Sequence, residues 1–246
     1  MTTPLYHNEL GQPIGFPLPQ WKAPPRPLRM PLTGRYCRVE PLDPARHTAD
    51  LLAANARDAD GAGWTYLSAG PLTTPEAYRE WMHQSCMGED PLYCAIVSLP
   101  EEKAVGVASY MRIDPKAGAI EVGGIKYSPL LQRTRAATEA MYLMMQHVFE
   151  LGYRRYEWKC DTLNAPSRAA AQRYGFTYEG IFRQATVYKN RSRDTAWFSI
   201  IDSEWPALDA AFTRWLAPEN FDAAGKQRLS LSQLTAPLLK HIDEGC

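Results

Sequence analysis

The chain has 246 residues, with 27 Lys+Arg balanced by 27 Asp+Glu and a pI near 7.0. Such a balance argues against a nucleic-acid or anionic-membrane binder acting through bulk charge, and a 45% hydrophobic content with seven Trp excludes wholesale disorder. No apolar run is long enough to span a bilayer, and the opening MTTPLYHNELGQP has neither the basic nor the apolar stretch of a signal peptide.

Residues 1–33 hold eight of the 20 prolines, including PPRP at 24–27. Proline at that density forbids helices and central strands, so an extended arm is expected. Phe16, Trp21 and Leu28 suggest that the arm lies against the body; a linker to a missing partner is the alternative. From Gly34 the pattern changes. Tyr36–Pro41 alternates as a strand and Pro44–Asp58 reads as a helix. Thr74 can cap a helix begun by Pro75, with Tyr78 and Trp81 on one face. Leu92–Leu99, Ala104–Ile113 and Ile120–Tyr127 are strands, the last interrupted by Gly123-Gly124. Ala137, Met141, Met144, Val148 and Leu151 form a helical stripe that Gly152 stops. Strand Arg155–Asp161 follows, then a helix over Ala165–Tyr174 capped by Asn164. Phe176–Lys189 and Asp194–Asp202 read as strands, and Ala207–Leu216 and Leu229–Ile242 as helices. The order predicts a mixed α/β fold whose sheet is too rich in hairpins to be doubly wound. Three segments are expected: the arm 1–33, a domain at 34–202 and a helical extension at 203–246.

The five Cys, at 37, 86, 94, 160 and 246, are scattered without CxxC pairs, and the five His form no cluster. That spacing fits neither a disulfide framework nor a zinc site, so a cytoplasmic, metal-free protein is expected.

Three places could carry chemistry. QRTRAATE, from Gln132 to Glu139, joins a strand to a helix, where free N–H groups and the helix dipole favour phosphate. Arg133 and Arg135 add charge there; two solvated arginines are the plainer reading, although cations at a helix start oppose its dipole. Gly123-Gly124 suggests a bulge that frees backbone groups for an amide-bearing ligand arm, or else an ordinary kink. Asn164 explains itself as a cap, whereas Ser167 offers a hydroxyl without a local need for one.

Together these residues resemble a GNAT-fold N-acetyltransferase of the RimJ/RimL-like branch. Gln132 through Ala140 match the acetyl-CoA loop, of form Q/R-x-x-G-x-G/A followed by ATEA. Asn164, Ser167, Gly175-Phe176, Glu179-Gly180 and Arg183 match the second signature, and Ile120-Glu121-Val122-Gly123 the IEIG-type strand. The likeness spans about Gly34 to Asp202. It implies a mostly antiparallel twisted sheet flanked by helices, with splayed fourth and fifth strands. It also implies acetyl-CoA held by Ile125, Lys126 and Tyr127, by Gln132, Arg133, Thr134, Arg135, Ala136, Ala137 and Thr138, and by Asn164 and Ser167.

Two departures stand out: Arg135 replaces the first loop glycine, and Ala171 stands where many relatives carry a proton-donating Tyr. The Arg135 side chain either folds over the phosphates or blocks the loop. Glu121 is the expected base, with its pKa raised by burial, and Ser167 the group that assists thiolate departure. Backbone N–H groups of the bulged strand would hold the oxyanion. Cys160 as a nucleophile is the competing idea, with a buried structural Cys favoured. The acceptor is an amine-bearing small molecule or peptide, walled by Trp64, Tyr66, Tyr78 and Trp81 unless these are core. No membrane or nucleic-acid partner is expected, and a homodimer is allowed. A catalytically silent acetyl-CoA-binding or protein-interaction module is the alternative.

Overall fold

Helix starts along the chain are marked by proline, by a polar capping residue, or by both. In the computed structural model, which describes residues 5–243 and 245, helix α1 spans Pro44–Asn55, and Asp43 accepts from the N–H groups of Ala45 and Arg46. Helix α2 spans Pro75–Ser85 under a Thr74 cap. Helix α3 spans Arg135–Glu150 and α4 spans Ala165–Arg173, capped by Thr134 and Asn164. Helix α5 covers Trp205–Leu216.

The last expected helix is cut short: α6 covers only Leu231–Thr235, followed by a single 3-10 turn at Ala236–Leu238. Pro237 lies inside the expected span, and proline breaks a helical ladder. Helix α1 likewise stops at Asn55 rather than Asp58.

The strands are β1 (Tyr6–His7), β2 (Pro13–Ile14), β3 (Leu32–Thr33), β4 (Cys37–Pro41), β5 (Leu92–Ser98), β6 (Lys103–Asp114), β7 (Ala119–Tyr127), β8 (Arg155–Asp161), β9 (Thr177–Tyr188) and β10 (Arg191–Ile201). Strands β1 and β2 form a separate hairpin in the arm. The other eight make one sheet in the order β3-β4-β5-β6-β7-β8-β10-β9, antiparallel throughout except for β7 beside β8. The arm lies against the body at Trp21, whose ring packs by Gly118 and Arg154, whereas Leu28 points to solvent.

Strand β5 shows how helices cover both faces. Leu92, Cys94 and Ile96 enter one apolar cluster, with Met141, Met144 and Val148 of α3 and Phe212 of α5. Tyr93, Ala95 and Val97 enter the other, with Leu51 of α1 and Tyr78 and Met82 of α2. Period-two alternation therefore buries the strand on both sides. No helix among the described residues is long and apolar enough to cross a membrane.

Candidate functional site

Strands β7 and β8 pair from Ala119/Arg155 only as far as Val122/Trp158. Beyond that point β7 turns away. Its register against β6 shifts between Val107/Ser109, so Gly124 and Ile125 bulge, with Gly124 at φ 58°. A Cβ on Gly124 would overlap the Tyr93 hydroxyl, so glycine is required twice over, by conformation and by space. The bulge expected from Gly123-Gly124 is present, and the splay lies where the sequence resemblance put it. A cleft of about 590 Å³ opens there, lined on one side by Trp158, Asn164 and Ser167 and on the other by Tyr66, Glu121, Lys159 and Trp197.

Behind the bulge the chain enters the loop before α3. Arg133 adopts φ 62°, the left-handed conformation that glycine usually supplies. Thr134 caps the helix by accepting from the N–H of Ala137, and Gln132 Nε2 donates to the carbonyl of Tyr127. The N–H groups of Arg135 and Ala136, at the helix start, lack intrahelical acceptors. Arg135 itself is helical. Its guanidinium stacks on Phe221 at 4.2 Å and Tyr36 at 5.2 Å, a position neither of the two sequence readings anticipated. Ala136 and Ala137 are buried, and the Thr138 hydroxyl accepts from the Arg173 guanidinium. The Lys126 ammonium is buried against Asp58 at 2.8 Å and over the Trp64 ring, which leaves its backbone, just past the bulge, as the part that could meet a cofactor.

On α4, Asn164 Oδ1 accepts from the N–H of Ser167, and Ser167 Oγ accepts from Trp158 Nε1 at 3.1 Å. The hydroxyl therefore has a fixed direction inside the cleft. Ala171 is fully buried and is not among the residues that line the cleft. Cys160 is buried at the cleft wall, and no His is among the cleft-lining residues. Among the described residues no cluster of His, Cys, Asp or Glu could hold a metal ion.

The opposite side of the cleft is charged. Alternation along β8 puts Arg155, Glu157, Lys159 and Asp161 on the face away from Tyr156, Trp158 and Cys160. Glu121 is 3% exposed and takes Arg112 Nη1 at 2.6 Å and Lys159 Nζ at 2.9 Å. Lys159 also meets Glu157 at 2.7 Å and lies 3.6 Å over the Trp197 ring. Burial, offset by hydrogen bonds from Lys159 and Arg155, leaves the Glu157 carboxyl below its ordinary value. Of the four aromatics expected as an acceptor wall, Trp64 and Tyr78 are core, Trp81 packs partly buried against them, and Tyr66 alone reaches the cleft. The Tyr66 hydroxyl donates across the cleft mouth to the carbonyl of Leu163. Arg112, Lys159, Asp161, Tyr188 and Trp197 were not singled out from the sequence; the signal available was RYEWKCD, a strand with charge on one face only.

Comparison with known proteins agrees with this geometry. A family model described as "Acetyltransferase (GNAT) domain" matches residues 38–177. The crystal structure of a GCN5-related N-acetyltransferase from Brucella melitensis is 47% identical, with a TM-score of 0.87, over 89% of this chain and 100% of that one. A GNAT-family structure from Chromobacterium violaceum is 39% identical, with a TM-score of 0.74, over 80% of this chain and 98% of that one. The fold is also that of RimL, a ribosomal L7/L12 α-N-protein acetyltransferase solved in complex with coenzyme A. That structure is 21% identical, with a TM-score of 0.57, over 70% of this chain and 99% of that one. No curated protein matches the chain.

Proposed function

This chain belongs to the GNAT acetyltransferase family, and on that premise we propose that it moves an acetyl group from acetyl-CoA to a primary amine by direct transfer between β7 and β8. The observation that carries the reading is the end of β7–β8 pairing at Val122/Trp158, beside the Ser167 hydroxyl. Backbone groups of β7 at and just past the bulge, from Ile125 to Tyr127, are proposed to pair with the amide-bearing arm of the donor. The loop from Gln132 to Thr138 fits its diphosphate. There the backbone N–H groups of Arg133, Arg135 and Ala136 do the binding, and the Arg135 side chain stands aside against Phe221. Asn164 orders the first turn of α4.

Acetyl-CoA supplies the activated acyl group. The amine must lose a proton before its lone pair can attack, because an α-amine titrates near 8 and a lysine amine near 10.4. Glu121 is the proposed proton acceptor, through water; Arg112 and Lys159 fix its carboxylate at the cleft. Ser167, oriented by Trp158, donates toward the leaving sulfur. The acceptor is a small molecule or a peptide N-terminus.

A thermal melt with acetyl-CoA, against ATP as control, tests the donor site. At 100 times its dissociation constant a ligand stabilises by about 2.7 kcal/mol, a melting shift of roughly 5–11 °C. No shift at millimolar acetyl-CoA would refute the reading. Thiol release with a panel of amines and N-terminal peptides tests transfer itself.

A further inference from the structure

Two carboxylates face the cleft from the side of Lys159, and they stand differently. Glu121 is held by two cations. Asp161, at the end of β8, is 4% exposed, and its partners are both neutral. Its Oδ1 accepts from the N–H of Leu163 at 2.9 Å, and its Oδ2 from the Tyr188 hydroxyl at 2.7 Å. Among the described residues no Lys, Arg or His nitrogen lies within the 4.0 Å of an ion pair with it.

The cations that could have approached are engaged elsewhere. Lys159 is shared between Glu121 and Glu157. On the β9–β10 hairpin, Arg193 donates to Thr195, Arg191 to the carbonyl of Thr65 and Lys189 to the carbonyl of Trp64. Arg112 belongs to Glu121. A carboxylate taken out of water without a counter-charge is strongly disfavoured. The turn it makes at Leu163 does not require that charge, because the side-chain oxygen of Asn would accept the same N–H.

The surroundings suit a cation that carries some apolar bulk. Phe182 and Trp197 pack with centroids 4.5 Å apart, and Tyr66 lines the same cleft. Aromatic faces attract cations and cover hydrocarbon at once. Asn164 and Ser167 follow Asp161 around the β8–α4 turn, and all three line the cleft of the proposed transfer.

We propose that Asp161 is the seat for the acceptor's ammonium group. The protein then selects a primary amine presented in its charged form on an aromatic or aliphatic body. Asp161 receives it at the cleft, and an uncharged isostere is refused. This inference rests on the acetyl-transfer reading above.

The test uses protein saturated with CoA and two matched probes, 2-phenylethylammonium and 2-phenylethanol, titrated by calorimetry at pH 7. A phenylalanyl peptide amide serves as a third probe, to separate a small-molecule acceptor from a peptide N-terminus. The wild type should bind the ammonium at least about tenfold more tightly than the alcohol, as a charge-assisted hydrogen bond implies. Asp161→Asn, which keeps the turn, should abolish that preference, while Glu121→Gln should leave it in place. Asp161→Ser, whose hydroxyl also supports the turn, stands in should the Asn variant not fold. A preference that survives both Asp161 substitutions, or no preference in the wild type, overturns the proposal. The acetyl-CoA melting shift, measured on the same variants, should persist. Its absence in the wild type would instead count against the acetyl-transfer reading.

Discussion

Glu139 fills the space that a side chain on Gly34 would need: a Cβ there would overlap the Glu139 carboxylate. From the second turn of α3 that carboxylate accepts from the backbone N–H groups of Arg35, Tyr36 and Cys37, tying the start of β4 to the helix that follows the proposed phosphate loop. Glu139→Ala would leave the buried Cys37 N–H and the half-buried Arg35 and Tyr36 N–H groups unmet, at up to about 1–3 kcal/mol each. The expected loss is about 3 kcal/mol or more, a fall in Tm of roughly 6–12 °C. Gly34→Ala should destabilise through the same contact. A melt of either variant within 2 °C of wild type, to about that precision, would remove Glu139 as the clasp.

Glu121→Gln tests the proposed proton acceptor. Turnover should fall by about 100-fold or more, while the acetyl-CoA melting shift persists. The variant should also melt lower, since Arg112 loses its carboxylate partner while Lys159 keeps Glu157. Unchanged turnover would take Glu121 out of the mechanism.

Gly124→Ala addresses the bulge. At φ 58°, facing the Tyr93 hydroxyl, the added methyl meets both backbone strain and a clash. The register against β6 should relax, and the acetyl-CoA melting shift should shrink by more than half. A full shift in a variant of unaltered Tm would mean that the donor does not use this backbone.

Alkaline pH should weaken the fold through its tyrosines. Burial raises the Tyr78, Tyr93 and Tyr110 hydroxyls, and burial together with Asp161 pushes Tyr188 up to about 12. A raised acid keeps its proton in the native state, so above the ordinary value near 10 the native chain binds more protons than the unfolded one. Stability is therefore intact below about pH 10 and falls as pH rises from there through about 12. Melts between pH 8 and 11, to about that range, with tyrosinate absorbance followed in parallel, should show ionisation arriving together with unfolding. Ionisation of every tyrosine ahead of unfolding would contradict the burial argument.

The helices of the domain were legible where period and caps agreed, as in the Met141, Met144 and Val148 stripe of α3. Cleft residues were harder, because a strand's pattern gives its two faces without saying what covers each. Trp64 and Tyr78 went to the core and Tyr66 to the cleft, a choice made by α1 and α2 packing on β5 and β6. Lys126 shows the same difficulty at a finer scale. Strict alternation from Glu121 would put it on the opposite face, but the extra residue at Gly124 flips the register, so Lys126 pairs opposite Val107 and Glu121 opposite Met111 on one face. Its partner, Asp58, is 68 residues away in sequence, which no local pattern reports. Asp161 carries no local signal in the sequence, because its neighbours on the β9–β10 hairpin join it only through the sheet.

The cleft between β7 and β8 is lined by side chains from both faces of β8. Trp158 and Ser167 stand on one side, Lys159 and Trp197 on the other. Reactants that load from opposite sides do not queue for an entrance. Either can arrive first, and the spent thiol can depart while the acylated product is still in place. Such a layout favours a ternary complex of random order over a ping-pong cycle, with free CoA competing against its own acylated form and not against the amine.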